Sequence, residues 1–344
     1  MKALVKTSPG AGGLELMDWP EPNAEGDQVK IEVAYTGICG TDLHILHGKW
    51  PSRPPVVLGH EFSGTVVEVG REVRDVAVGE KVVAGNPAST CGNCFHCRAG
   101  NPLMCPERIS MGYMVDGCFA EYVVVRRGAV HKLPDHVSLR DAAVCEPLAV
   151  AVRTLIERAT VQAGGSVLVS GPGPVGLLCV ALAKAQGAKT IICGISQDEH
   201  RLACARRLGA DHVVDVSKED VVDVVRQTTG GAGADVVVEC AGVADSLHVC
   251  FQSVRRGGTI VQVGIFPGPF EVDFNQVEMK ELQIAGVYGY LWASWEKSVA
   301  LLSEGRVKTD QLISHDLPLS AWEEGFRAAE GTEGIKVLLR PGCG

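Results

Sequence analysis

Ser166-Val167-Leu168-Val169-Ser170 runs directly into Gly171-Pro172-Gly173-Pro174-Val175-Gly176, and then into Leu177-Leu178-Cys179-Val180-Ala181-Leu182. The first five residues read as a strand buried on both faces, and an apolar helical run follows the glycines. G-x-G-x-x-G is weak alone, but between a strand and a helix it is the fingerprint of a dinucleotide site. Gly171 allows the tight turn, Gly173 lets backbone approach a pyrophosphate, and Gly176 lets helix and strand pack closely. Pro174 and Val175 complete the loop where the helix N-terminus stabilises phosphate charge.

The alternation continues on both sides of the loop. Strands are expected over 166–170, 190–195, 212–216, 235–240 and 258–263, and helices over 175–186, 199–208, 218–227 and 244–254. Apolar strands separated by helices indicate an α/β fold with a parallel sheet covered on both faces. An acid about 20 residues after the glycines would read the 2′-hydroxyl of NAD. The second strand instead ends Ile192-Cys193-Gly194-Ile195-Ser196-Gln197. Without that acid the 2′-phosphate of NADP is not repelled. Ser196 and Arg201 offer it contacts, whereas Asp198 and Glu199 oppose it, and the reading leans slightly to NADP.

Before this region the pattern is different. Val29-Lys30-Ile31-Glu32-Val33-Ala34 alternates with period two, and Ser63–Gly70 is another strand ended by glycine. Close glycine and proline punctuation suits short strands in a barrel-like domain. The expected plan is a β-rich domain over 1–150, an α/β domain over 151–286, and a segment over 287–344 that returns to the first. Helices near 293–303 and 320–330 and a strand at 336–339 close the chain.

Thirteen cysteines, an odd number, do not read as a disulfide framework. Position sorts them. Cys91, Cys94, Cys97 and Cys105 are separated by two, two and seven residues. Four thiolates from one loop match a closed tetrahedral zinc site that stabilises a lobe and does no chemistry. An iron–sulfur cluster is the other metal reading, although the fourth spacing departs from a ferredoxin run. A second constellation is Cys39-Gly40-Thr41-Asp42-Leu43-His44, Gly59-His60-Glu61 and Cys145-Glu146-Pro147. It offers one thiolate, one imidazole and carboxylates at element ends, enough for a zinc with an open position. Asp42 suits an outer partner that orients a ligand. The remaining eight cysteines, including Cys118, Cys145 and Cys343, are assigned no ligand role; Cys179, Cys193, Cys204, Cys240 and Cys250 fall on apolar faces.

On these residues, with Gly117-Cys-Phe-Ala-Glu-Tyr122, the chain resembles the zinc-containing medium-chain alcohol and polyol dehydrogenases over essentially its whole length. The resemblance implies a GroES-like β-rich catalytic domain joined to a Rossmann doubly wound parallel sheet. It implies two zinc ions per chain, with Cys39, His60 and Glu61 binding the catalytic one and Glu146 binding it or holding its water. Thr41 and His44 would relay the proton of a substrate hydroxyl that zinc acidifies to an alkoxide. Hydride would pass to NAD(P). Ala241-Gly242, Val263-Gly264-Ile265 and Val287-Tyr288, each after a strand, would contact the cofactor. A homodimer or homotetramer is implied, joined through the apolar 258–291 region.

Glu146-Pro147-Leu148 resembles the polyol dehydrogenases; threonine dehydrogenases carry Asp-Pro-Phe-Gly-Asn there. A secondary alcohol, a polyol or sugar alcohol first, is therefore the expected substrate, with threonine or simple secondary alcohols as alternatives. Trp50, Tyr113, Tyr290 and Trp292 are candidates for the pocket wall. A net charge of −9 argues against nucleic acid, and Arg98 and Arg108 are too few to make the cysteine lobe a phosphate-tracking module. No run approaches the roughly 20 apolar residues of a membrane span, and no signal-like segment opens the chain, so a cytoplasmic setting is expected. A non-catalytic nucleotide-binding relative would have lost a metal ligand, and Cys39, His60, Glu61 and Glu146 are all present.

Overall fold

The computed structural model describes residues 1–342; Cys343 lies outside the described residues. The chain divides into two compact units. One comprises Met1–Glu146, Leu291–Gly305 and the chain from Ile313 onward; the other comprises Pro147–Tyr290 and Arg306–Leu312.

The second unit is built on a six-stranded parallel sheet. Its order is His212–Asp215, Lys189–Gly194, Ser166–Ser170, Ala234–Glu239, Val254–Gln262, Gln283–Gly286. The chain lays strands outward in one direction from Ser166–Ser170, then returns to its other side with Ala234–Glu239. Open α/β sheets hold ligands at that reversal, at the carboxyl ends of the strands. Ser166–Ser170 is buried along its whole length. The helix Pro174–Ala185 begins with proline in its first turn and buries every residue from Gly176 to Ala183. Gly171 has φ +104°, and a Cβ there would come 2.6 Å from Ala241 N, so the loop needs glycine.

Two strand boundaries differ from the periodicity. The second strand runs Lys189–Gly194 and stops before Ile195. The fifth begins at Val254 rather than 258, because Val254 pairs with Ala234 across a register shift. The preceding helix therefore ends at Ser253.

The first unit centres on the long strand Gln28–Gly37. Glu61–Val69, Tyr122–Arg126 and Lys336–Arg340 all pair with it, antiparallel, within a seven-stranded sheet. Val29, Ile31 and Val33 alternate into a core with Phe62, Val66 and Val82. A second core gathers Leu4, Ile45, Leu58, Phe119, Phe326 and Leu339. The strand Lys336–Arg340 thus ties the end of the chain into the sheet begun at residue 28. Among the described residues, no helix is long and apolar enough to cross a membrane.

Candidate functional site

Strand pairing brings the first metal-binding candidates together. Gly37 pairs with Glu61 in the antiparallel register, so Cys39, just past one strand, faces His60 and Glu61 at the start of the next. Cys39 caps the helix Gly40–Leu46; its N–H donates to Asp42 Oδ2 at 2.9 Å, and Asp42 N–H donates back to Cys39 O at 3.0 Å. Thr36 Oγ1 donates to Glu61 O at 2.9 Å and fixes the backbone of that residue. The ligand atoms of Cys39, His60 and Glu61 lie within 4.8 Å of one another.

The set is buried: His60 is 4 % exposed, Glu61 1 % and Asp42 0 %. His60 Nδ1 and Asp42 Oδ1 face each other at 3.7 Å, both enclosed and without a hydrogen-bond partner. Burial disfavours a charged imidazole, yet the Asp42 carboxylate and then the Cys39 sulfur outweigh it and hold the His60 pKa above its ordinary value. Burial, and next the Glu61 carboxylate, push the Cys39 thiol up. Sulfur, imidazole and carboxylate donors crowded in a water-poor pocket suit a divalent cation such as zinc, which satisfies all of them at once.

Lys336 enters this pocket from the opposite strand. It is 1 % exposed, ion-pairs with Glu61 Oε2 and donates to Ile38 O at 2.9 Å. Glu146, 7 % exposed in the first turn of the helix Cys145–Val152, falls outside the tight set, although its charge acts on His60 and Lys336. Thr41 and His44 lie three residues apart on the helix Gly40–Leu46, hence on one face, and both are half-buried. Burial, then the charges of Lys49 and His47, hold His44 below its ordinary value, so it is neutral near pH 7 and able to accept a proton. Of the aromatic candidates in this unit, Tyr113 is buried in the core, Trp50 packs against it, and Trp292 is exposed.

The four-cysteine loop forms the second cluster. Cys91, Cys94, Cys97 and Cys105 place all four sulfurs within 4.8 Å of one another. Sγ–Sγ distances of 3.5 Å (Cys105–Cys91) and 4.0 Å (Cys91–Cys97) bracket the edge of about 3.8 Å that a tetrahedron with Zn–S bonds of ~2.3 Å requires. Backbone N–H groups of Asn93 and Cys94 donate to Cys91 and lower its thiol to about 7, favouring the thiolate. Cys118 and Cys145 are buried and belong to neither cluster.

In the second unit, a cavity of about 440 Å³ opens at the sheet reversal. Gly171, Gly173, Gly194, Arg201 and Ala241 line it. Pro174, Val175, Gly176, Val263, Gly264, Ile265, Val287 and Tyr288 do not line this cavity; they lie in or beside its helix and the neighbouring loops. Ser196 does not line the cavity; its hydroxyl donates to Asp215 Oδ2 at 2.7 Å, and Asp215 also holds Lys218. Cys193 and Cys240 line the cavity, whereas Cys179, Cys204 and Cys250 are core residues.

Two side chains were not singled out from the sequence. Glu239, fully buried, ends the fourth strand of the sheet; its Oε1 accepts from Ala241 N (2.9 Å), Gly242 N (2.8 Å) and Ser246 Oγ (2.8 Å). Its Oε2 abuts the position of Gly264, where a Cβ would strike it. Glu239 thereby fixes the loops after two adjacent strands. Lys336 is the other. The available signal was the same in both: a charged residue at the end of an otherwise apolar strand, Asp235-Val-Val-Val-Glu239 and Lys336-Val-Leu-Leu339.

Comparison with known proteins places the chain in a family. A profile described as Zinc-binding dehydrogenase matches residues 174–304, and one described as Alcohol dehydrogenase GroES-like domain matches 25–135. Sorbitol dehydrogenase of Halalkalibacterium halodurans is 40 % identical over 342 residues, covering 99 % of each chain. D-arabitol-phosphate dehydrogenase of Enterococcus avium is 38 % identical over 342 residues, covering 98 % of this chain and 97 % of that one. A Sinorhizobium meliloti 1021 protein solved bound to NADP superposes with a TM-score of 0.91 at 34 % identity, over 99 % of both chains. The chain belongs to the zinc-binding dehydrogenases, its first unit GroES-like and its second a Rossmann-type parallel sheet.

Proposed function

We propose that this protein is a zinc-dependent dehydrogenase that transfers hydride between a secondary alcohol, specifically a polyol or sugar alcohol, and NAD(P). The observation that carries this reading is the convergence of Cys39, His60 and Glu61 in one buried pocket. In this reading the unit begun by residues 1–146 is catalytic and the unit begun at 147 binds the dinucleotide. Two zinc ions per chain are proposed, one on Cys39, His60 and Glu61, the other on Cys91, Cys94, Cys97 and Cys105.

Zinc, when bound, supplies Lewis acidity that lowers the pKa of a substrate hydroxyl. The chain's own residues do the rest. Asp42 orients the His60 ring, and Lys336 holds one oxygen of Glu61. Thr41 Oγ1 takes the hydroxyl proton as acceptor while passing its own toward His44, three residues on along the same helix. His44, kept neutral, receives the proton. Glu146 adds negative charge near His60, and its place in a Glu-Pro-Leu sequence, together with sorbitol and arabitol-phosphate relatives, supports a polyol substrate.

NADP is proposed ahead of NAD. Gly194 leaves no acid at the end of the second strand, and Arg201 lines the cavity. Two or four copies are proposed to associate along the edge strand Gln283–Gly286, which is largely exposed and carries Ile284 outward. A cytoplasmic setting suits the reduced thiols that both clusters need.

The test is a panel of polyols, polyol phosphates, simple secondary alcohols and L-threonine, run with both cofactors. A polyol giving the largest kcat/KM supports the reading; L-threonine leading by tenfold or more overturns the substrate class.

A further inference from the structure

The strand Lys2–Lys6 ends on a side chain that reaches no solvent. Lys6 is 0 % exposed, and its ammonium spends all three of its donors on main-chain carbonyls: Ser8 O at 2.7 Å, Gly10 O at 2.7 Å and Gly12 O. The acceptors alternate along the chain, so one cation gathers residues 8–12 around itself. Charge-assisted bonds of this kind are roughly twice as strong as neutral ones. Thr7 N and Thr7 Oγ1 both donate to Gly13 O, at 2.7 and 3.1 Å, and close the loop at its far end.

The loop is docked on the end of the helix that carries Thr41 and His44. The last four carbonyls of a helix have no partner within it. In Gly40–Leu46 three of them are met by the turn that follows: Leu43 O by His47 N at 3.0 Å, His44 O by Lys49 N at 2.8 Å and Ile45 O by Gly48 N at 3.0 Å. The fourth, Leu46 O, accepts from Gly12 N at 2.8 Å. Gly12 therefore gives its carbonyl to Lys6 and its N–H to the helix end, in a left-handed conformation (φ +74°) that suits glycine. Ala11 forms a bridge with His47, and a Cβ at Gly48 would come 2.8 Å from Ala11 N, so loop and turn lie in close contact. His47 is also held by Glu330, Nε2 to Oε1 at 2.6 Å.

We propose that Lys6 is a positioning residue for the proton relay. Its ammonium shapes residues 8–12 into an external cap for the helix Gly40–Leu46, and the cap fixes the turn 47–49 beside His44. The link to His44 is electrostatic as well as steric. Burial first, then the charges of Lys49 and His47, keep His44 below its ordinary value, and both of those groups sit on the turn that the cap holds. With the cap released the turn frays, the two charges move off, and His44 rises toward its ordinary pKa of about 6.5. An imidazole that is more protonated accepts fewer protons, and a loosened helix end misplaces it. This deepens the proposed function and rests on the reading that His44 receives the substrate proton.

The test uses the full-length zinc-loaded protein with two variants. Lys6→Met keeps an unbranched stem and removes the cation; Gly48→Ala leaves the Lys6 carbonyl contacts intact and wedges a Cβ between turn and loop. Amide exchange read by mass spectrometry reports the cap, exchange of the histidine C2 proton reports the His44 pKa, and kcat and KM across pH report the relay. In both variants the amides of 12 and 47–49 are expected to exchange about tenfold faster, with those of Leu4 and Val5 unchanged. His44 is expected to titrate higher, kcat at pH 7 to fall about tenfold and KM to stay within about twofold. A merely structural defect lowers the folded fraction and leaves the His44 titration of folded molecules where it was. Exchange at 47–49 within about twofold of wild type in Lys6→Met overturns the cap. Faster exchange with wild-type His44 titration and kcat overturns its link to the relay. Should Lys6→Met fail to fold, Gly48→Ala decides by the same readouts. His44→Asn separates the two readings: wild-type kcat there, with fast exchange in Lys6→Met, overturns the relay and supports the cap.

Discussion

Replacing Glu239 with alanine removes a buried carboxylate oxygen that three donors share: Ala241 N, Gly242 N and Ser246 Oγ. Hydrogen bonds to a charged acceptor contribute about 1.5–3 kcal/mol each, and buried donors left unpaired lose that amount in full. Three such bonds total about 4–9 kcal/mol. Part of this is offset, because Oε2 is buried without a partner and its desolvation is relieved on removal. A net loss of about 3 kcal/mol is expected, which at about 2–4 °C per kcal/mol lowers Tm by roughly 6–12 °C. Glu239→Gln keeps a carbonyl acceptor for the three donors and places an NH2 against Gly264, so its loss should be about 1 kcal/mol. Thermal and urea unfolding of both variants read the stabilities, and NADPH titration reads the loops after the strands Ala234–Glu239 and Val254–Gln262. Either an alanine variant melting within about 2 °C of wild type, or a glutamine variant losing as much as alanine, refutes the three-donor account.

Other perturbations separate chemistry from scaffold. Cys39→Ser or His60→Ala should cut kcat by more than about a thousandfold with far-UV circular dichroism unchanged, because each removes a donor from the buried metal set. Cys97→Ser should lower Tm well below wild type while leaving kcat per folded molecule within about threefold, as a closed four-thiolate site has no open position. Asp235 accepts from Ser166 N, Ser166 Oγ and Arg255 Nε; burial raises its pKa, but these bonds outweigh it and hold the carboxyl below its ordinary value. That contribution is fully present above the unfolded carboxylate pKa of about 3.9 and fades as pH falls through the lower folded value. Asp235→Asn should therefore lower Tm at pH 7, with the gap to wild type narrowing below about pH 4 in melts run across the acid range.

The readable features were those encoded locally. The cysteine spacings at 91–105 close a loop on themselves, and the glycine loop at 171–176 lies between its own strand and helix, so a short window carries each. Cys39, His60 and Glu61 were legible only as candidates, because the antiparallel register of Gln28–Gly37 with Glu61–Val69 is what makes them neighbours. Side chains whose role depends on distant partners were not legible. Lys336 is a buried cation because Glu61 and Ile38 meet it from the other end of the chain. Glu239 is buried because two backbone amides and Ser246 surround it. Ser196 stands where the sequence offers a phosphate contact, and the bond of its hydroxyl to Asp215 on the neighbouring strand is a tertiary contact that the sequence does not carry. The close approach of Pro172 to Gly194 is likewise a tertiary contact that the sequence does not carry.

In the proposed function two separate donor sets each hold zinc, and only the set of Cys39, His60 and Glu61 serves the reaction. Elemental analysis of purified wild type, Cys39→Ser and Cys97→Ser, taken with turnover on the best polyol, tests it most directly. Two zinc per chain are expected in wild type and one in each variant, with turnover lost in Cys39→Ser and kept per folded molecule in Cys97→Ser. One zinc in wild type, or full turnover in Cys39→Ser, would contradict it.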